Sequence, residues 1–401
     1  MSVSNSDRMS SEEKRAGISL AAVFALRMLG LFLILPVFSV YAKDLPSGND
    51  MALVGIALGA YGLTQACLQI AYGAASDRFG RKPVIVFGLL LFVAGSFVAA
   101  CADDIYVVIA GRVLQGAGAI SAAVTALAAD LTREQHLTKV MAMIGSSIGL
   151  VFAVSMVGAP LLYVGIGMPG IFALTGVLAM LAIFVVLRVV PAAPAVPRQP
   201  AWQSFVEVLS HRQLLRLNFG VFALHLMLTA MWVLLPSELI STGALPVAEH
   251  LKVYLPALLL SFVIMLPAIV VGERFGHMKL IFNAAIVLLL AVQAGFGLFA
   301  HGLYGLAFWL MLFFVAFNIL EATQPSLISR MAPPHAKGAA LGVYNTTQAL
   351  GLFLGGVIGG VLTKYAGAGA VWAGGAALTL LWLVLGLTMV MPPLRRRQGA
   401  A

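Results

Sequence analysis

Twelve long apolar runs leave this chain few ways to fold. They lie at about 18–42, 52–76, 83–101, 105–130, 137–163, 170–190, 213–239, 250–271, 279–299, 303–330, 337–365 and 368–391. Most reach the roughly 20 residues that carry a helix across a bilayer core about 30 Å thick. Only 10% of the residues are charged, against about 25% in a soluble domain, so outward apolar side chains must face lipid. Inside hydrocarbon every backbone amide needs a partner from its own helix or from a closed sheet. Continuous runs punctuated by Gly and Pro fit helices, because barrel strands would be half as long and would alternate. The expected fold is an all-α integral membrane protein in a lipid bilayer.

The basic residues orient the runs. If both termini face the cytoplasm, all but five of the 24 Lys and Arg residues lie in the tails or in inner loops. Lys43, Lys252 and Lys364 fall on the outer side, and Arg27 and Arg112 fall inside runs. The formal net charge of +9 therefore reads as membrane topology, and no nucleic-acid partner is needed to explain it. Cys67 and Cys101 lie within or at the end of runs and read as small packing residues. No short apolar core with a small-residue cleavage site follows the polar opening MSVSNSDRMSSEEKRAG, so the first run is expected to remain a membrane helix.

One interruption of the apolar pattern occurs twice. GAASDRFGRKP at 73–83 and VGERFGHMK at 271–279 follow the second and eighth runs, and Asp77, Arg78 and Gly80 correspond to Glu273, Arg274 and Gly276. Such an echo marks a chain of two similar halves, here two pseudo-symmetric six-helix bundles with twelve transmembrane helices in all. The seam falls at PAAPAVPRQP, 191–200, whose prolines exclude a regular helix. The expected organisation is a cytoplasmic tail at 1–17, bundles at 18–190 and 213–391, a cytoplasmic linker at 191–212 and a basic cytoplasmic tail at 392–401. Within the linker, Trp202, Phe205 and Leu209 share one helical face, which suggests a short helix at the inner membrane surface.

Gly73, Asp77, Arg78, Gly80, Arg81 and Lys82 have the form G-x-x-x-D-R-x-G-R-K, and GRVLQGAGA places Gln115 and Gly116 after Arg112. On these residues the chain resembles the major facilitator superfamily over nearly its whole length. FALRMLGLFLILPVFSVYA in the first run and FNILEATQPSLISR in the tenth are similar to the YajR-like branch of its drug-exporter-type members. Some of that branch carry a soluble C-terminal domain, which is not expected where the sequence ends at RRRQGAA. The resemblance implies a monomeric, multi-pass inner-membrane secondary transporter working by alternating access. The implied activity is proton-coupled export of a small amphipathic or hydrophobic organic compound. An importer or facilitator, and a transport-inactive sensor on the same fold, remain as alternatives.

By the same resemblance the first copy of the repeat acts as a latch when the cytoplasmic side is shut. Asp77 would meet the second half near the eleventh run, and Arg81 would pair with Asp130. Gly73 permits close helix approach and Gly80 a tight turn. The second copy keeps Glu273, Arg274 and Gly276 but has His277 and Met278 where the first has Arg81 and Lys82, so a weaker relay is expected. The plainer reading is that these charges only fix topology.

Charged groups at membrane depth cost at least about 2.5–3.5 kcal/mol each on insertion scales, so they need partners or water. Arg27, Arg112 and Glu321 qualify, with His225 as a neutral titratable candidate. Arg112, Gln115, Gly116 and Ala119 recur at threes and fours and so share an inward face. Glu321 is the expected proton carrier, or else a permanent ion-pair partner; His225 is a relay or a packing residue. Tyr61, Gln65, Arg112, Gln115, Trp232, Tyr344, Thr347 and Gln348 are candidates to line a substrate path, aromatic with few polar groups. The alternative for the Tyr and Trp residues is anchoring at the membrane surface.

Gly149, Gly158 and Pro160 in the fifth run are expected to bend it. Ala159, Leu161 and Leu162 depart from the Gly-Pro and paired-Gly pattern of family exporters. GGVIGG at 355–360 suggests close packing. With no phosphate loop, no metal-spaced His/Cys cluster and no nucleophile beside a recognisable base, neither an enzyme nor a metal or cofactor site is expected.

Overall fold

The computed structural model describes residues 9–191, 202–333 and 336–390. The α-helices among them are α1 (Ser11–Phe32), α2 (Phe38–Tyr41), α3 (Met51–Phe79), α4 (Arg81–Ala100), α5 (Ile105–Ala117), α6 (Ser121–Asp130) and α7 (Glu134–Arg188). They continue as α8 (Trp202–Ser210), α9 (Arg212–Ser241), α10 (Leu251–Phe275), α11 (Met278–Phe299), α12 (Gly302–Met331), α13 (Lys337–Ala366) and α14 (Ala368–Leu387). No strand occurs among the described residues. Eleven helical spans are long and apolar enough to cross a membrane, with α5 and α6 taken together. α7 covers two of the expected runs. Inside it Gly167 is non-helical, at φ 66° and ψ 179°, so residues 134–166 and 168–188 are two helices.

Capping explains where several helices begin. α1 starts at Ser11, ahead of the apolar run, because Ser10 and Glu13 form a reciprocal capping box. The Ser10 N–H donates to the Glu13 carboxylate at 2.8 Å and the Glu13 N–H to Ser10 Oγ at 3.1 Å. The expected tail at 1–17 thus gives way to helix before its end. Asp50 and Asp104 cap α3 and α5 by accepting from the N–H groups of Ala52 and Tyr106.

Two runs are broken where continuous helices were expected. The first run stops at Phe32 and resumes only as the short α2, with Pro36 between them. The fourth run divides into α5 and α6 at residues 118–120. Gly118 lies so close to α4 that a Cβ there would sit 2.5 Å from the carbonyl oxygen of Gly88. The fifth run is unbroken. Its backbone keeps helical φ/ψ through Gly149, Gly158 and Pro160, and the non-helical Gly167 falls in the connection between the fifth and sixth runs.

The chain divides into two compact units, Met1–Pro200 and Ala201–Ala401. In the first, α1 packs along α7 and α5 is held between α3 and α4; in the second, α13 packs along α9, and α12 contacts α10 and α11. Gly351, Gly355 and Gly359 bring α13 against α9, where a Cβ on Gly355 would lie 2.2 Å from the Leu226 carbonyl oxygen. Each unit closes its last helix with a cation from its first long helix. Arg15 Nε donates to the Val189 carbonyl at 2.8 Å beyond α7, and Arg216 Nη1 to that of Thr388 at 2.6 Å beyond α14.

Leu150, Phe184, Leu266, Val270 and Leu298 are among many large apolar side chains left exposed. Surfaces of this kind suit lipid rather than water. α8 forms where the short linker helix was expected; Val208 is buried, while Val206 and Leu209 are about half exposed. The proline-rich segment from 192 to 200 and the basic tail lie outside the described residues.

Candidate functional site

The loop that joins α3 to α4 is organised around Arg81. Gly80, at φ 93° and ψ 150°, makes the turn from α3 into α4 in a conformation that only glycine adopts readily. Arg81 Nη1 then lies 2.7 Å from Asp77 Oδ1 and its Nε 2.9 Å from Asp130 Oδ2. Nη1 also donates to Ser76 Oγ at 2.6 Å. Arg81 is 8% exposed, Asp130 16% and Asp77 40%. One guanidinium thus ties α3, α4 and α6 together. Lys82 instead donates to the Val190 carbonyl at 2.6 Å, and the exposed Arg78 stands over the Phe79 ring. Gly73 has no tight neighbour, since a Cβ there would meet only Ala122 at 3.7 Å; close approach is not what requires this glycine.

The corresponding loop of the second unit keeps the turn, and among the described residues it shows no counterpart of the Arg81 pairing. Gly276 is left-handed, at φ 75°. Glu273, Arg274 and Gly276 are exposed, and Glu273 joins Arg330, Met278 and Ser326 in lining a small crevice among α10, α11 and α12.

Midway along the first unit, polar side chains from six helices form one network. Arg27 on α1 donates from Nη1 to Ser121 Oγ at 3.0 Å and from Nη2 to Gln65 Oε1 at 3.1 Å. Arg112 on α5 donates to Gln115 Oε1 at 2.8 Å, and Gln115 Nε2 donates to Ser96 Oγ at 2.9 Å. Thr175 Oγ1 adds a bond to Ser96 at 3.2 Å. The Tyr61 ring lies between the guanidinium groups, 5.6 Å from Arg27 Cζ and 5.1 Å from Arg112 Cζ. Ser96, Ser121 and Thr175 were not legible as site residues, because isolated small polar residues in apolar runs usually bond their own helix.

The second unit brings three side chains from three helices together. His225 on α9 and Gln348 on α13 approach Nε2 to Nε2 at 2.7 Å. Glu321 on α12 places Oε2 3.7 Å from His225 Nε2 and accepts from Gln348 Nε2 at 3.4 Å. His225 Nδ1 is 3.0 Å from the Val221 carbonyl, which can only accept. The proton therefore sits on Nδ1, and Nε2 takes a hydrogen from the Gln348 amide. A second proton on His225 would turn Nε2 into a donor, and among the described residues a turned Gln348 or the Glu321 carboxylate could receive it.

The remaining path candidates are packed within the second unit. Trp232 is fully buried, with Tyr254 and Phe314 at ring distances of 5.6 and 6.4 Å. Tyr344 is buried with its hydroxyl unpartnered, and Thr347 bonds back to the Val343 carbonyl. Sequence reasoning missed Glu13, whose carboxylate accepts from the Arg133 N–H, Nε and Nη2 at 2.8–2.9 Å. The polar opening gave it the look of a tail residue.

Known proteins resemble this chain along nearly its whole length. A family model described as Major Facilitator Superfamily matches residues 20–354 and 254–401. The inner membrane transport protein YajR of Escherichia coli (strain K12) is 43% identical over 393 residues, covering 97% of this chain and 86% of that protein. The multidrug resistance protein MdtH of Aeromonas salmonicida (strain A449) is 27% identical over 375 residues, covering 90% of this chain and 89% of the other. Among solved structures, the human organic anion transporter MFSD10 (TETRAN) matches with a TM-score of 0.69 at 18% identity. That match covers 94% of this chain and all of the other, and it is a likeness of fold.

Proposed function

The chain belongs to the major facilitator superfamily, and from that premise we propose that it is a proton-coupled exporter of a small amphipathic or hydrophobic organic compound. The observation that carries the coupling is the His225–Gln348–Glu321 cluster. It joins a carboxyl group to an imidazole whose partners must rearrange when a proton arrives. Such a group can load from one side and release to the other as the protein alternates access. Export is favoured by the likeness to MdtH, a multidrug resistance protein.

On this reading the two units are related six-helix bundles, the chain works as a monomer and both termini face the cytoplasm. The matching Arg15 and Arg216 caps support the relation between the bundles. Arg81 with Asp77 and Asp130 is the fixed part of a cytoplasmic latch, and the unpaired Glu273 loop is its weaker copy.

The test is gradient-driven flux in sealed proteoliposomes, with a compound chosen because it stabilises the purified protein. Glu321→Gln should abolish accumulation against an imposed pH gradient while exchange between compartments of equal pH continues. Unaltered accumulation in that variant would remove Glu321 as the carrier. Flux that ignores the gradient in the wild type would instead favour a facilitator.

A further inference from the structure

Two guanidinium groups are enclosed in the first unit with only neutral partners. Arg27 is fully buried and Arg112 is 1% exposed. Neither is in an ion pair with any described carboxylate. Their situations differ. Arg112 has an acceptor for each nitrogen: Gln115 Oε1 at 2.8 Å for Nη1, the Ala57 carbonyl at 3.4 Å for Nε and the Leu58 carbonyl at 3.5 Å for Nη2. Arg27 spends Nη1 and Nη2 on Ser121 and Gln65, and its buried Nε–H has no acceptor among the described residues. The Tyr61 hydroxyl, on the ring that both guanidiniums flank, is also buried and unpartnered.

The chemistry of what is missing follows. An unpaired donor on a buried cation is among the costliest groups to leave unsatisfied. The ring face and the amide oxygens offset part of the charge and cannot fill the Nε–H. A cationic ligand would be repelled by two positive groups, and a neutral one would leave the charge uncompensated. A carboxylate supplies both the negative charge and the acceptor, through short charge-assisted bonds.

We propose that Arg27 is the binding point for a carboxylate carried by the organic substrate, with the Tyr61 hydroxyl as its second donor. This rests on the transporter reading above and gives its substrate a charge class. Arg112, already satisfied, holds α3 and α5 together and contributes its field. Arg27 is enclosed in this conformation, so the carboxylate enters when the protein changes state, as a transported ion must.

The experiment uses the full chain in detergent, without any gradient, and a panel of monocarboxylates running from acetate through hexanoate to 4-phenylbutyrate, each beside its neutral amide. Thermal unfolding and equilibrium titration are the readouts. At least one carboxylate should raise the unfolding temperature while its amide does not, and Arg27→Gln should remove that shift. Tyr61→Phe keeps the ring and the fold and should weaken the carboxylate roughly tenfold, as expected for one hydrogen bond to a charged group. Equal shifts from acid and amide, a shift that survives Arg27→Gln, or no response to any carboxylate would each overturn the proposal. Failure of the transport reading is separate: carboxylates that bind through Arg27 without any flux in proteoliposomes would end that reading and leave the anion site standing.

Discussion

Single residues at the α3–α4 and α10–α11 loops carry distinct loads, and substitution can separate them. Asp130 and Asp77 both reach Arg81, but Asp130 is 16% exposed and Asp77 40%. Removing one partner of an enclosed pair strands the other charge, whereas an exposed pair contributes only about 0–1 kcal/mol. Asp130→Asn should therefore lower the thermal unfolding temperature in detergent clearly more than Asp77→Asn; equal losses would mean that burial does not decide the matter. The glycines sort in the same way. Gly80 and Gly276 sit at positive φ, so alanine at either should cost on the order of 1–2 kcal/mol. Gly73→Ala should cost little, because its Cβ would meet only Ala122 at 3.7 Å. A Gly73→Ala loss as large as that of Gly80→Ala would show that a tighter contact exists at α3 than these distances allow.

At the scale of helices, the contrast lies between α13 and α7. Gly351, Gly355 and Gly359 let α13 meet α9 backbone to backbone, and a Cβ at Gly355 would lie 2.2 Å from a carbonyl oxygen. Gly355→Val should cost at least about 1–3 kcal/mol through overpacking, read as lost folded protein after solubilisation. On α7, Gly145, Gly149 and Gly158 have open space at the Cβ position. Gly149→Ala should leave stability unchanged or raise it by about 0.5–1 kcal/mol, since alanine loses less entropy in a helix. Destabilisation by Gly149→Ala would show that this face of α7 is packed.

These helices also show what could be read from the chain alone. The runs set the helices because hydrocarbon length is a property of each segment by itself, and GGVIGG announced close packing because small residues at spacing four lie on one face. The break between α5 and α6 was hidden. Gly118 forms it by fitting against Gly88 on another helix, which no single run reveals. The short connection between the fifth and sixth runs was equally hidden, because it is a single non-helical residue, Gly167, whose positive φ separates two helices just before Pro169. The Arg81–Asp130 pair was available from the resemblance. The Ser96, Ser121 and Thr175 partners were not, because they acquire meaning only through tertiary contacts to Gln115 and Arg27.

For the whole molecule the account joins a latch, a proton cluster and an anion site into one transport cycle. Asp77→Asn should shift the population toward cytoplasm-open states, seen as longer distances across the inner side by double electron–electron resonance; an unchanged distribution would remove Asp77 from the latch. The central claim is that substrate and proton movements are linked through Glu321. The most direct measurement loads sealed proteoliposomes with a pH-reporting dye, adds a carboxylate that binds the purified protein, and records lumenal pH. The account predicts a substrate-dependent pH change with the wild type that vanishes in Glu321→Gln, while labelled substrate still exchanges at equal pH. Substrate flux with no accompanying pH change in the wild type, or a pH change that persists in Glu321→Gln, would contradict it.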